Sequence, residues 1–202
     1  MQEETTSGAV SGGAAEAVSS ERLGGRVKAL RREAGLTLDG LAERAGVSRA
    51  MLSKLERGEK NPTLVVAARV AEGLGVTLTR LIETEERGAV VVIPRGGRRV
   101  MRDPQTGFER QAISPSTAGS GVELVYNVIP VGSTSGEFPP HRKGVEEHVV
   151  VERGRLRAVL GGEEHVLEAG DAVYFEADVP HRFDNAGEGE CGYYLVIHTG
   201  GA

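Results

Sequence analysis

Between Glu21 and Ile82 the apolar residues recur at helical spacing. Val27 and Leu30, then Leu38, Leu41 and Ala42, then Leu52 and Leu55 follow the i, i+3, i+4 rule of a one-sided helix. Thr37, Ser48 and Thr63 each stand just before such a run, where a side-chain oxygen can accept from the first free N–H groups. Gly35, Gly46, Gly58 and Gly75 stand where helices should stop. The pattern predicts about five short helices. After Glu86 the period changes. Val90–Ile93, Val122–Ile129, His148–Val151, Leu156–Leu160, Ala172–Phe175 and Tyr193–Ile197 are short β-rich runs, punctuated by Gly and Pro at roughly ten-residue intervals. That spacing predicts a β-barrel or sandwich, with loops at Pro94–Gly97, Pro104–Gly107 and Ser114–Gly121.

The fold class predicted is therefore a multi-domain α and β chain, with an all-α five-helix domain followed by an all-β domain. Residues 1–20 form a tail of Gly, Ala, Ser, Thr and Glu that buries too little apolar surface to order itself, residues 21–83 the helical domain, residues 84–119 a linker and lead-in strands, and residues 120–202 the β domain. The boundary falls near Thr84–Gly88.

The formal net charge of the 202-residue chain is −5, which changes meaning once it is divided. Residues 21–83 carry twelve Lys/Arg against eight Asp/Glu, whereas residues 84–202 carry twelve against eighteen. A local basic surplus is the electrostatic footprint of a nucleic-acid module, and only the helical domain should face phosphate. No run approaches the roughly 18 apolar residues of a membrane helix, and Glu3 and Glu4 open the chain in place of a basic, apolar leader. The expectation is a cytoplasmic protein without a membrane partner. Cys191 is the one cysteine, so no internal disulfide forms, and no cation cluster beside it points to a redox role.

The segment from Thr37 to Gly58 reads as helix, tight turn at Gly46, helix. Leu41, Ala42, Val47, Leu52 and Leu55 can lock the two helices, leaving Arg49, Ala50, Ser53 and Lys54 on the outward face of the second. A rigid helix with exposed cations near its N-terminus suits the DNA major groove. From about Leu23 to Ile82, and above all in Ser53–Gly58, Asn61-Pro62-Thr63 and Ala71–Val76, the sequence closely resembles the lambda-repressor-like helix-turn-helix family of the xenobiotic-response-element type. The resemblance implies that Arg49, Ala50 and Lys54 face base edges and that Thr37, Lys60, Asn61 and Thr63 lie near phosphates, with Ser48 and Ser53 completing the DNA-binding set. Leu38 stands where many members of that family carry a Gln. Glu56 is expected to be an internal partner, with Arg44 the candidate.

Two stretches of the β domain, His141–Gly154 and Gly170–Asn185, resemble the paired motifs of the cupin superfamily, in the placing of Glu147 seven residues before Gly154, of Gly170-Asp171, and of Pro180-His181 with Asn185 four residues on. The resemblance implies a small antiparallel barrel open at one end, with His141, Lys143, Glu147 and His181 in its pocket and Tyr126 as a candidate lining residue. Many cupins hold a divalent metal, but Lys143 stands at the second histidine position and an ammonium has no lone pair to offer. The cofactor expectation is therefore none. His141, Glu147 and His181 remain as a possible two-His, one-carboxylate metal set. His148, next to Glu147 on one strand, is expected to point outward. Together the two resemblances imply a homodimeric, DNA-binding transcriptional regulator, not an enzyme, that binds double-stranded DNA and a small-molecule effector. The alternative is a non-haem metal-dependent cupin enzyme that carries a helix-turn-helix head. Lys143 counts against it, because such an enzyme needs a histidine there.

Overall fold

The computed structural model describes residues 16–17, 19–82, 90–115 and 121–199. After a two-residue strand at Glu16–Ala17 come five α-helices: α1 (Ser20–Glu33), α2 (Leu38–Ala45), α3 (Arg49–Glu56), α4 (Leu64–Leu74) and α5 (Leu78–Ile82). The predicted caps do the work expected of them. The side chains of Thr37, Ser48 and Thr63 accept from the N–H groups of Gly40, Met51 and Val66. Gly46 ends α2 in the left-handed region at φ 61°, which an L side chain rarely adopts, and this sets the turn into α3. Helix α1 crosses α3 so closely at Gly24 that a Cβ there would meet the Leu55 carbonyl oxygen at 2.2 Å. Leu41, Leu52, Leu55, Leu64 and Val70 are sealed between the helices, each stabilising the fold by about 1.5–3 kcal/mol relative to exposure.

Arg31 on α1 makes a bidentate pair with Glu56 on α3, at 2.6 and 2.9 Å, and also donates to the Leu36 carbonyl. Glu56 is thus an internal partner as expected, but of Arg31 rather than Arg44. Helix α1 lies against the end of α3, where Gly24 meets the backbone of Leu55 and Glu56.

The β region holds eleven strands with the N-terminal one included. They are β1 (Glu16–Ala17), β2 (Arg99–Arg102), β3 (Glu109–Ala112), β4 (Val122–Ile129), β5 (Thr134–Phe138), β6 (Glu146–Arg153), β7 (Arg155–Leu160), β8 (Glu163–Glu168), β9 (Ala172–Glu176), β10 (His181–Asn185) and β11 (Cys191–His198). One sheet runs β1-β2-β3-β4-β11-β6-β9 and the other β5-β10-β7-β8. All pairings are antiparallel except that of β1 with β2. Phe108, Ile129, Leu156, Phe183 and Tyr193 are buried in the β-domain core.

Two expectations change. Val90–Ile93 forms no strand: Val90 and Val92 are 85% and 82% exposed, and an apolar run without a neighbouring strand to pair with has no ladder to join. Glu16 and Ala17, placed in the tail, pair with Arg99 and Val100. Strands β2 and β3 lie among the residues read as lead-in strands and belong to the larger sheet. The boundary at Thr84–Gly88 lies outside the described residues, as does the rest of the tail up to residue 15.

The helical and β regions touch. The Leu64 N–H, at the start of α4, donates at 3.0 Å to Oδ2 of the buried Asp103, whose Oδ1 accepts from Gln105 and Thr106. Thr79 on α5 donates to Glu123 on β4, and Glu123 also pairs with Arg110 on β3 at 2.7 Å. Helix α4 lies along β5.

Candidate functional site

Two sites emerge, one on each region. On the helical region, α3 buries Leu52 and Leu55 and turns Arg49, Ala50 and Lys54 to solvent, with Ser53 half-exposed and bonded to Arg57. Arg49 is held at 2.8 Å by Asp39 on α2, an exposed pair of the kind that contributes little and is readily exchanged for another anion. Thr37 and Ser48 are exposed at the starts of α2 and α3. Lys60 and Asn61 are exposed in the connection to α4, and Thr63 is half-buried as its cap. The residues expected to face DNA thus lie on α3 and on helix starts or the loop around it. Arg57, exposed and paired with Glu59, is a further cation there that the sequence reading passed over.

The second site is a cavity of about 300 Å³ between the two sheets, and its wall is shared. The β domain supplies Arg110, Asn127, His141, Glu147, His181 and Tyr193, whereas α4, α5 and their connection supply Ala68, Ala71, Glu72 and the stretch from Gly75 to Arg80. Glu147 on β6 and His181 on β10 are 1% and 3% exposed. His141 Nε2 lies 3.3 Å from Glu147 Oε1, and His181 Nε2 lies 3.8 Å from the same atom. The His181 Nδ1–H faces the Val179 carbonyl at 3.0 Å, and His141 Nδ1 faces Glu72 Oε2 at 3.1 Å. Rings of Phe138, Phe175 and Phe183 surround His181 at 5.5–6.1 Å between centroids. Glu147 Oε2 has no hydrogen-bond partner among the described residues.

Burial would lower the His141 pKa, but the hydrogen bonds to Glu147 and Glu72 outweigh it and lift the imidazole to about 9. Burial would raise the Glu147 carboxyl. The His141 hydrogen bond and the charges of His181, His141 and Arg110 reverse that and hold it below the ordinary range. The cavity therefore contains a charged carboxylate beside an imidazolium at neutral pH. Burial pushes the Tyr193 phenol well above its usual value, so it stays a neutral hydroxyl. Burial also lifts the Cys191 thiol to about 11, which leaves it an inert packed group.

His141, Glu147 and His181 come together, with donor atoms all within 4.8 Å of one another. Both histidines have Nδ1 engaged and Nε2 turned to the shared centre, and two imidazoles with a carboxylate are a donor set that divalent transition metals accept. The set fits such an ion. Lys143 and Tyr126 are not brought to the cavity. Lys143 is exposed in the turn before β6, where Arg142 lines the cavity instead and Glu147 is balanced by histidines. Tyr126 alternates with the inward Asn127, so it lies on the outer face of the sheet, donating to Glu152 at 2.8 Å. The tyrosine of the cavity is Tyr193, which pairs in register with Asn127. His148 is exposed, as its neighbour's burial requires.

The chain thus joins a capped helix-turn-helix head with an outward cationic helix to a two-sheet domain closed around a His-Glu-His cavity. Family comparison agrees: the helix-turn-helix family model matches residues 27–81 and the cupin domain model residues 127–198. The HTH-type transcriptional regulator SutR of Escherichia coli (strain K12) is 34% identical over 85% of this chain and 92% of its own. PuuR of the same organism, another HTH-type transcriptional regulator, is 21% identical over 87% of this chain and 94% of its own. The crystal structure of an HTH_3 family transcriptional regulator from Vibrio cholerae superposes with a TM-score of 0.73 at 23% identity, covering 89% of this chain and 96% of that one, and so shares the fold. The chain belongs to the HTH-type transcriptional regulators that carry a C-terminal cupin domain. No helix among the described residues is long and apolar enough to cross a membrane.

Proposed function

We propose that the chain is a homodimeric, sequence-specific DNA-binding regulator whose cupin cavity senses a small molecule, and that it is not an enzyme. One observation carries the sensing: α4, α5 and the cupin strands form a single cavity wall. A ligand in that cavity touches the DNA-binding head and the sensor at once. It therefore has a different affinity for each arrangement of the two, which is the requirement for coupling. The names of the relatives support DNA as the macromolecular partner. An exposed apolar band on the outer face of the larger sheet supports a second copy. There the exposed Tyr194 and Val150 stand opposite each other, with Tyr174 half-exposed nearby.

A two-fold dimer reads a two-fold site. The operator is expected to be an inverted repeat, with half-site centres about 34 Å or a multiple apart. Lys60→Ala should weaken binding to all duplexes alike and lower the salt slope by about one, because a phosphate contact carries no sequence information. Gel-shift titration of an operator selected from random DNA, beside scrambled duplex, tests this. Equal affinity for both would defeat the regulator reading.

A second reading is favoured by one observation, the convergence of His141, Glu147 and His181. In it a divalent ion is held by those three side chains and offers open positions to a ligand or substrate. His141 Nε2 pairs directly with Glu147 Oε1 in the cavity, and the first reading needs no ion between them. Elemental analysis of purified protein separates the two. Stoichiometric iron, zinc or nickel, lost in His181→Ala, would establish the metal-dependent reading, and substoichiometric metal would support the first.

A further inference from the structure

The cavity carries more polar chemistry than the cupin motifs account for. At its floor Arg110 stands opposite Asn127 across β3 and β4, and Asn127 stands opposite Tyr193 across β4 and β11. All three are less than 5% exposed. The Arg110 Nε–H makes no hydrogen bond among the described residues, and the Asn127 amide and Tyr193 hydroxyl face each other with no other partner among them. Glu147 Oε2, as deeply buried, is likewise an acceptor without a hydrogen-bond partner among the described residues. Unpartnered buried polar atoms are rare because each loses its water without replacement, and several lining one cavity are groups held for a ligand.

The mouth shows what such a ligand competes with. Glu72 projects from α4 into the cavity wall, and its carboxylate sits at 3.1 Å on Nδ1 of His141, across the boundary between head and sensor. The same imidazole reaches Glu147 through Nε2. A carboxylate is thus already the partner of His141 on the cavity side, and the next polar group along is an acceptor in need of a donor.

We propose that the cavity takes a small α-amino or α-hydroxy acid whose carboxylate replaces that of Glu72 on His141 while its α-ammonium or α-hydroxyl donates to Glu147. The far end of the acid carries an oxygen group for Arg110, Asn127 and Tyr193. Occupancy and the Glu72–His141 contact are then mutually exclusive. Binding frees the C-terminal end of α4 from the sensor, while Asp103 keeps the N-terminal end docked through the Leu64 N–H. This inference rests on the sensing reading above and names both the ligand class and the contact that transmits its arrival.

The test uses the full chain with L-aspartate and L-malate as probes and succinate as the matched acid without an α-donor. Calorimetry should show aspartate or malate binding at least about tenfold more tightly than succinate. Hydrogen exchange should become faster in the second half of α4 when the tighter acid is bound. Glu72→Gln, which keeps the size and removes the competing carboxylate, should speed exchange there without ligand and tighten the acid by about tenfold. Tyr193→Phe, which keeps the ring in the core, should weaken the acid and leave ligand-free exchange of α4 as it was. Succinate binding as tightly as both substituted acids, no acid binding either wild type or Glu72→Gln, or unchanged exchange of α4 on binding would each overturn the proposal. Operator affinity measured alongside separates this inference from the reading beneath it. An acid that opens α4 without changing operator affinity supports the latch and counts against sensing. An operator response to the acid with α4 exchange unchanged counts against the latch and leaves sensing in place.

Discussion

Replacing Arg49 with alanine is expected to lower operator affinity by about 1–3 kcal/mol, roughly five- to 150-fold, and to relax preference at one base position. Arg49 opens α3 on its exposed face, where a guanidinium on a capped, rigid helix reaches base edges in the major groove. In the free chain it is bound to Asp39, so reading DNA exchanges one weak, solvent-exposed pair for a directed one. Asp39→Asn should therefore weaken operator binding far less than Arg49→Ala does. Binding measured on the selected operator and on single-base variants checks both. If Arg49→Ala weakens every duplex by the same factor, Arg49 is a phosphate contact instead.

Glu56→Ala is expected to destabilise the head by about 2–4 kcal/mol, more than an ordinary surface substitution. Glu56 and Arg31 are nearly covered, at 7% and 13% side-chain exposure, and hold α3 to α1 with two hydrogen bonds. Removing the carboxylate leaves a guanidinium without its counter-charge in a place water barely reaches. The pair Arg31→Met with Glu56→Leu should recover a large part of the loss, since neither charge then remains to be desolvated. Urea unfolding of the wild type and both variants measures this. A loss below about 0.5 kcal/mol for Glu56→Ala would reduce the pair to a surface contact.

The helical region was legible because its signals are local. A cap such as Thr37 acts three residues away, Gly46 acts on its own φ, and the stripe from Leu41 to Leu55 repeats with the helix period. The β domain was legible in part. Strands with a buried face and β-branched residues, such as Val122–Ile129, stood out. The strand Glu163–Glu168, exposed almost throughout, and Thr134–Phe138, which has no apolar run, did not. The cupin motifs placed His141, Glu147 and His181 in one pocket, and the structure brings them together. They could not place Lys143 or choose between Tyr126 and Tyr193, because motif position does not give the turn's direction and composition does not give the register. Burial of Asn127 was visible only as a polar residue within an apolar strand. Glu72 carried no signal at all, because its role depends on how α4 docks on another domain.

Three side chains of the β region dock α4 and α5. Asp103, Glu123 and His141, all from the cupin region, each take a partner from α4 or α5. Helix α4 also packs against α1, α2 and α5 in the head's core.

The most direct test of the account is the affinity of the full-length chain for its selected inverted-repeat operator relative to scrambled duplex at one fixed salt concentration. The account predicts a ratio of about 10³ or more, falling by roughly five- to 150-fold in Arg49→Ala. A ratio near one, unchanged by Arg49→Ala, would contradict it.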